Sequence, residues 1–115
     1  MPRAKNNVAA KQRHKKLLKL AKGYRLSRSR LYTVAKDQVE RSLRYAYRDR
    51  KQKKRLYRRL WIVRINAACR LNGTTYSRFI SGLRAKQIEM DRKTLSYLAM
   101  HEPETFKGLV EQVAG

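Results

Sequence analysis

The apolar positions of this chain recur at helical spacings in its second half and thin out in its first, and no stretch sustains the alternation of a β-strand. In NNVAAKQRHKKLLKLAKG, good helix formers predict a helix over about residues 8–22, with Asn7 as N-cap and Gly23 as the stop. Val8, Leu17, Leu18, Leu20 and Ala21 cluster near one end without making a continuous stripe, so little protein packing is expected to hold it. Something outside the chain has to order it. GYRLSRSR, residues 23–30, suits an irregular or single-turn link.

From Leu31 to Asn72 there is neither Pro nor Gly, and Gly73 follows as a stop, which predicts one long helix or two abutting ones. Each acid of this stretch has a cation four residues on: Asp37 with Arg41, Glu40 with Arg44, Asp49 with Lys53, the orientation that supports a helix. Unbroken, some 40 residues at about 1.5 Å each would span about 60 Å, so much of the helix would protrude from a small domain. The stripe of Val39, Leu43 and Tyr47 lapses through Arg48–Arg55 and resumes at Leu56, Tyr57, Leu60, Trp61 and Ile65. The helix is therefore expected to leave protein, cross a charged interval, and be anchored in a core from Leu60 onward. A buried Trp61 would cost about 3–5 kcal/mol on truncation to Ala.

Beyond Gly73, Thr74 or Thr75 is placed to cap a helix carrying Tyr76, Phe79, Ile80 and Leu83 and ending near Lys86. Asp91 is placed to cap RKTLSYLAM, and Glu102-Pro103 to open PETFKGLVEQV, with Phe106, Leu109, Val110 and Val113 on one face. The fold class read from this pattern is all-α: a long basic helical extension over residues 1–59 and a small helical domain over 60–115, large enough for one modest core.

Charge sharpens the division. The 115 residues carry a formal net charge of +22. Residues 1–59 hold 22 Lys and Arg against three acids, whereas 60–115 hold eight against five. Self-repulsion on that scale calls for a polyanionic partner, and without it residues 1 to about 50 are expected to fray. No run reaches the roughly 18 apolar residues of a membrane span, and the start lacks the apolar core of a secretory signal, so an intracellular protein without a membrane partner is expected. Cys69 is the only cysteine and is read as a small buried residue, not a disulfide partner or part of a cysteine zinc site.

Catalytic signatures are missing: there is no HExxH, Walker loop, GxGxxG or GxSxG, and HEPE at residues 101–104 lacks a second histidine. No enzyme, cofactor or metal is expected. What the sequence does supply is phosphate chemistry. Arg exceeds Lys by 17 to 13, and arginine makes bidentate phosphate contacts and stacks on bases. Tyr24, Tyr32, Tyr45, Tyr47 and Tyr57 are interleaved with these cations, a mix that leans towards folded RNA, in which unpaired bases can stack on a ring. A membrane-surface helix would need a broad apolar face opposite its cations, and residues 48–55 have none. Architectural DNA binding is the alternative that electrostatics alone does not separate from RNA.

At KRLYRRLWIVRINAACR, Lys54 to Arg70, the chain resembles the bacterial large-subunit ribosomal protein L twenty family, with Lys54, Arg58, Leu60, Trp61, Ile62, Arg64, Ile65, Asn66 and Arg70 at that family's characteristic positions. RHKKLLKLAKGYRLSRSRLY, AYRDRKQKKR and NGTTYSRFISGL match its other blocks. The resemblance implies a non-catalytic cytoplasmic protein of the ribosome, not a homo-oligomer at work. Its basic helices would thread among helices of the first two domains of the large-subunit ribosomal RNA, beside protein L twenty-one, and promote early assembly. In some members it would also imply binding of the protein's own messenger to repress translation. Together, charge and resemblance mark as RNA contacts Arg3, Lys5, Lys11, Arg13, His14, Lys15, Lys16, Lys19, Lys22, Tyr24, Arg25, Arg28, Arg30, Tyr32, Arg41, Arg44, Tyr47, Arg48, Arg50, Lys51, Lys53, Lys54, Arg55, Arg58, Arg59 and Arg64.

Overall fold

Helix formers in the first half and three- and four-residue apolar spacings in the second produce an all-helical chain. The computed structural model describes residues 3, 5 and 7–115, and among them there is no strand. In order come α1 (Asn7–Leu20), a 3₁₀ turn (Leu26–Ser29), α2 (Tyr32–Leu71), α3 (Tyr76–Ala85), α4 (Arg92–His101) and α5 (Pro103–Ala114). Two compact units divide the chain, Met1–Lys51 and Gln52–Gly115. α2 runs through Arg50 as one uninterrupted helix.

In the first unit α1 begins at Asn7 itself, so the residue expected as its cap is its first helical residue. Gly23, at φ 85°, takes the left-handed conformation that glycine adopts without steric cost, and the Tyr24 N–H donates to the Ala21 carbonyl at 3.1 Å. The link is indeed a single turn, closed by Leu31 N–H on the Ser27 carbonyl at 2.8 Å. As expected, little protein packing holds α1, none of whose residues is buried, but its end leans on a small cluster that the pattern did not indicate. Ala21, Ala35 and Val39 are buried together, with Leu17, Leu18 and Tyr24 packed against them. Apolar residues too sparse for a stripe still make a small patch.

The expected ladder of ion pairs forms at one rung. Arg41 and Asp37 meet at 3.2 Å, but Glu40–Arg44 and Asp49–Lys53 do not close, and Asp49 pairs with its neighbour Arg48 at 3.0 Å. Exposed pairs gain under about 1 kcal/mol while ordering two long side chains, so the register of charges does not by itself hold a geometry.

The second unit's core consists of Ile65, Cys69, Phe79, Leu83, Leu95, Phe106 and Val110. Phe79 and Phe106 sit ring to ring, centroids 5.2 Å apart and tilted by 46°. The point at which α2 enters this core is later than its pattern suggests. Leu56, Tyr57 and Leu60 are exposed, Trp61 and Ile62 are half-buried, and Ile65 is the first residue of the pattern to be fully covered. Trp61 is not a core residue; it leans on Tyr57, centroids 6.3 Å apart. The short helices α3 to α5 reach only the last turns of α2, where Ile65 and Cys69, one turn apart, fill the contact. Burial pushes the Cys69 thiol up to about 11, so it stays protonated near neutral pH and acts as the small apolar group expected.

Local chemistry sets the helix ends. At the end of α2, Thr74 N–H donates to the Cys69 carbonyl at 2.9 Å and Gly73 N–H to Arg70 at 3.2 Å, the paired bonds of a Schellman motif with Gly73 at φ 74°. α3 ends in the same motif, through Ile88 to Leu83 at 3.0 Å and Gln87 to Arg84 at 3.1 Å, but with Gln87 in the left-handed position, φ 56°. A Cβ there costs energy that glycine avoids. Gln87→Gly should therefore raise stability by about 0.5–1 kcal/mol, once the extra freedom glycine gives the unfolded chain is set against it. Chemical denaturation will show this as a higher midpoint at unchanged slope.

Asp91 caps α4 as expected, accepting from the Thr94 N–H at 2.6 Å, a bond that lowers its carboxyl below the usual range. Thr75 occupies the cap position of α3 without a side-chain bond. The Tyr76 N–H instead donates to the Asn66 side-chain oxygen at 3.4 Å, and Arg92 Nε donates to the Tyr76 hydroxyl at 2.8 Å. These two bonds join α2, α3 and α4 around one tyrosine.

Candidate nucleic-acid interface

In the first unit, Arg3 and Lys5 precede α1, and Lys11, Arg13, His14, Lys15, Lys16 and Lys19 lie on it; all are exposed. Lys22, Arg25, Arg28 and Arg30 line the link, also exposed, with Tyr24 half-buried on the small core. Tyr32 opens α2 and stacks on His14, centroids 3.8 Å apart and 19° from parallel. Tyr24 and Tyr32 are thus both partly engaged inside the chain, Tyr24 on the small core and one face of Tyr32 on His14. The His14–Tyr32 stack is a contact that sequence reading does not reveal, since the two residues are eighteen apart and only the turn at Gly23 brings them together.

Further along the same unit, Arg41, Arg44, Tyr47, Arg48, Arg50 and Lys51 are exposed. Arg41, Arg44, Tyr45 and Arg48 line one shallow groove. The Arg48 guanidinium lies 4.5 Å from the centre of the Tyr45 ring, and Lys51 Nζ lies 5.3 Å from that of Tyr47. Tyr45, absent from the predicted contacts, lies among these cations; its three-residue spacing to Arg48 on a helix is the signal for that pairing. Exposed cation–π contacts contribute about 0.5–1 kcal/mol, enough to bias side-chain orientation yet easily exchanged for a phosphate or a base.

In the second unit, Lys53, Lys54, Arg55, Arg58 and Arg59 are exposed and Arg64 is half-buried. Lys53 Nζ lies 6.0 Å from the Tyr57 ring centre. From Leu43 to Leu60 no residue of α2 is buried and Ala46 alone is half-buried, so the cations project from every side of the helix unshielded by protein. Among the described residues only Arg41 and Arg48 of the basic half reach a carboxylate. The remainder are uncompensated positive charge held out to solvent on helical backbone, which is the arrangement that displaces counterions from phosphates.

Among the described residues no cluster of three or more His, Cys, Asp or Glu is placed to hold a metal, and no helix is long and apolar enough to cross a membrane. His101 rests against Tyr97, centroids 4.5 Å apart, at the end of α4.

Comparison with known proteins agrees with this surface. The family profile described as ribosomal protein L20 matches residues 3–109. The large ribosomal subunit protein bL20 of Rhodospirillum centenum is 58% identical over 112 residues, covering 97% of this chain and 94% of its own. Those of Leptothrix cholodnii and Amoebophilus asiaticus are each 55% identical, over 113 and 114 residues, covering 98% and 99% of this chain and 96% and 100% of theirs.

Proposed function

The chain belongs to the ribosomal protein L20 family, and from that membership we propose that its basic half binds the large-subunit ribosomal RNA and promotes the folding of that RNA early in subunit assembly. As a member of the family it is a structural, non-enzymatic constituent of the large ribosomal subunit. The observation that carries the proposal is the stretch from Leu43 to Leu60: half of its residues are cations, none is buried, and one acid stands among them. RNA helices repel one another as they come together, and a rod charged on all sides neutralises phosphates on several of them at once.

The contact set is the one read from the sequence, from Arg3 to Arg64, with Tyr45 added. Residues 1–59 act as the RNA-binding extension and 60–115 as the domain that folds by itself. The first two domains of the RNA, and protein L twenty-one as a neighbour, are the partners that the family resemblance supports. Its own messenger would be bound by the same chemistry wherever it presents a similar fold, and repression of translation would follow.

Architectural DNA binding makes a different prediction. In a competition titration at fixed salt, folded large-subunit RNA should displace the labelled chain from random duplex DNA of equal nucleotide number at a tenth of the concentration or less, because shape and unpaired bases add to charge. Equal or better binding to the duplex would overturn the proposal.

A further inference from the structure

Among the described residues two that are not glycine take a left-handed backbone, Gln87 at φ 56° and Leu26 at φ 58°. Gln87 closes the Schellman motif of α3, so its conformation has a local reason. Leu26 has no reason of that kind, because Gly23 has already ended α1 and the 3₁₀ turn begins at Leu26 itself. A leucine is strained in this region, where glycine sits freely and asparagine is tolerated. Hydrogen bonds hold it there: Ser29 Oγ donates to the Leu26 carbonyl at 3.0 Å, and the Arg30 N–H donates to that of Ser27 at 3.1 Å. The side chain joins neither core and is 79% exposed. Strain that the surrounding bonds maintain at an exposed position is characteristic of a ligand contact.

The surroundings say what the leucine meets. Arg25, Leu26, Ser27 and Arg28 line one concavity, Lys22 and Arg30 flank it in sequence, and no Asp or Glu precedes Asp37. Cations on both sides of an aliphatic group suit phosphates on both sides of an apolar surface, and in a polynucleotide that surface is the face of a base. Paired bases cover their faces by stacking and offer a protein only their edges, whereas an unpaired base can be splayed out with its face open. We propose that Leu26 seats an unpaired RNA base in this concavity, with Arg25 and Arg28 on the phosphates beside it. The inference rests on RNA binding by the basic half and adds a contact that separates unpaired from paired RNA, which charge alone does not.

The full chain is titrated with folded large-subunit RNA and, separately, with perfectly paired duplex RNA of equal nucleotide number, over a series of salt concentrations. Leu26→Asn and Leu26→Gly both suit a left-handed backbone, so the turn is kept and only the aliphatic group is lost. Each should bind the folded RNA about tenfold more weakly than the parent, at an unchanged salt slope, and bind the duplex equally well. Leu26→Met, whose side chain is apolar and of similar size, should keep the parental affinity. Asn and Gly variants that bind the folded RNA like the parent would overturn the inference, as would a Met variant as weak as they are. A loss shared by the duplex, or a changed salt slope, would overturn it too, since either would mean that the cations had moved. A parent that does not bind the folded RNA would overturn RNA binding itself, a failure distinct from variants that match a binding parent.

Discussion

Replacing Arg48, Arg50, Lys51, Lys53 and Lys54 together by Gln will flatten the salt dependence of binding to large-subunit ribosomal RNA. Each phosphate contact adds about 0.7–0.9 to the slope of log affinity against log salt, so five contacts account for a slope of about 4. Between about 50 and 200 mM salt the unaltered chain should then lose about 250-fold more affinity than the variant. These five side chains are exposed and touch no core, and Gln is a good helix former, so the fold is retained and the change reads as binding alone. Equilibrium titrations at four or five salt concentrations measure it. A variant with the parental slope would mean that these turns do not meet phosphate.

Phe106→Ala or Phe79→Ala should destabilise the second unit by about 3–5 kcal/mol, because each ring is fully enclosed and each is the other's main aromatic neighbour. For a core this small that approaches the whole of its stability. Trp61→Ala, expected from its position beside Leu60 and Ile62 to be just as severe, should cost under about 2 kcal/mol, since its ring is half-buried and rests on an exposed tyrosine. Chemical denaturation of the three variants side by side gives the order. A Trp61 loss equal to that of Phe106 would place the indole in the core and contradict the structure described.

Helix type, helix order and the ends at Gly73, Asp91 and Pro103 were legible from the chain because each rests on local chemistry: a left-handed glycine, a carboxylate that accepts a backbone N–H, a ring that fits the first turn. What was not legible depends on neighbours distant in sequence. Leu56, Leu60 and Trp61 have the spacing of core residues, but spacing cannot say whether α3 to α5 are long enough to cover them, and they are not. Ala21 and Ala35 look like filler until the turn at Gly23 sets them together as a small core. Asn66, an ordinary polar residue inside a helix, serves the first N–H of α3 only because the chain turns back at Gly73. The exposed basic surface was legible by charge, whereas the pairing of His14 with Tyr32 and of Arg48 with Tyr45 came from geometry.

The central claim is that folded ribosomal RNA supplies the partner that the exposed stretch of α2 lacks. Amide hydrogen exchange on the full chain, alone and saturated with large-subunit RNA, tests it most directly. Without RNA, amides from Leu43 to Leu60 should exchange quickly, since no tertiary packing shields that part of the helix, while those around Phe79 and Phe106 are slow. With RNA, the first group should slow by about tenfold or more and the second should be unchanged. Protection of Leu43–Leu60 already complete in the free chain, or unaffected by RNA, would contradict the account.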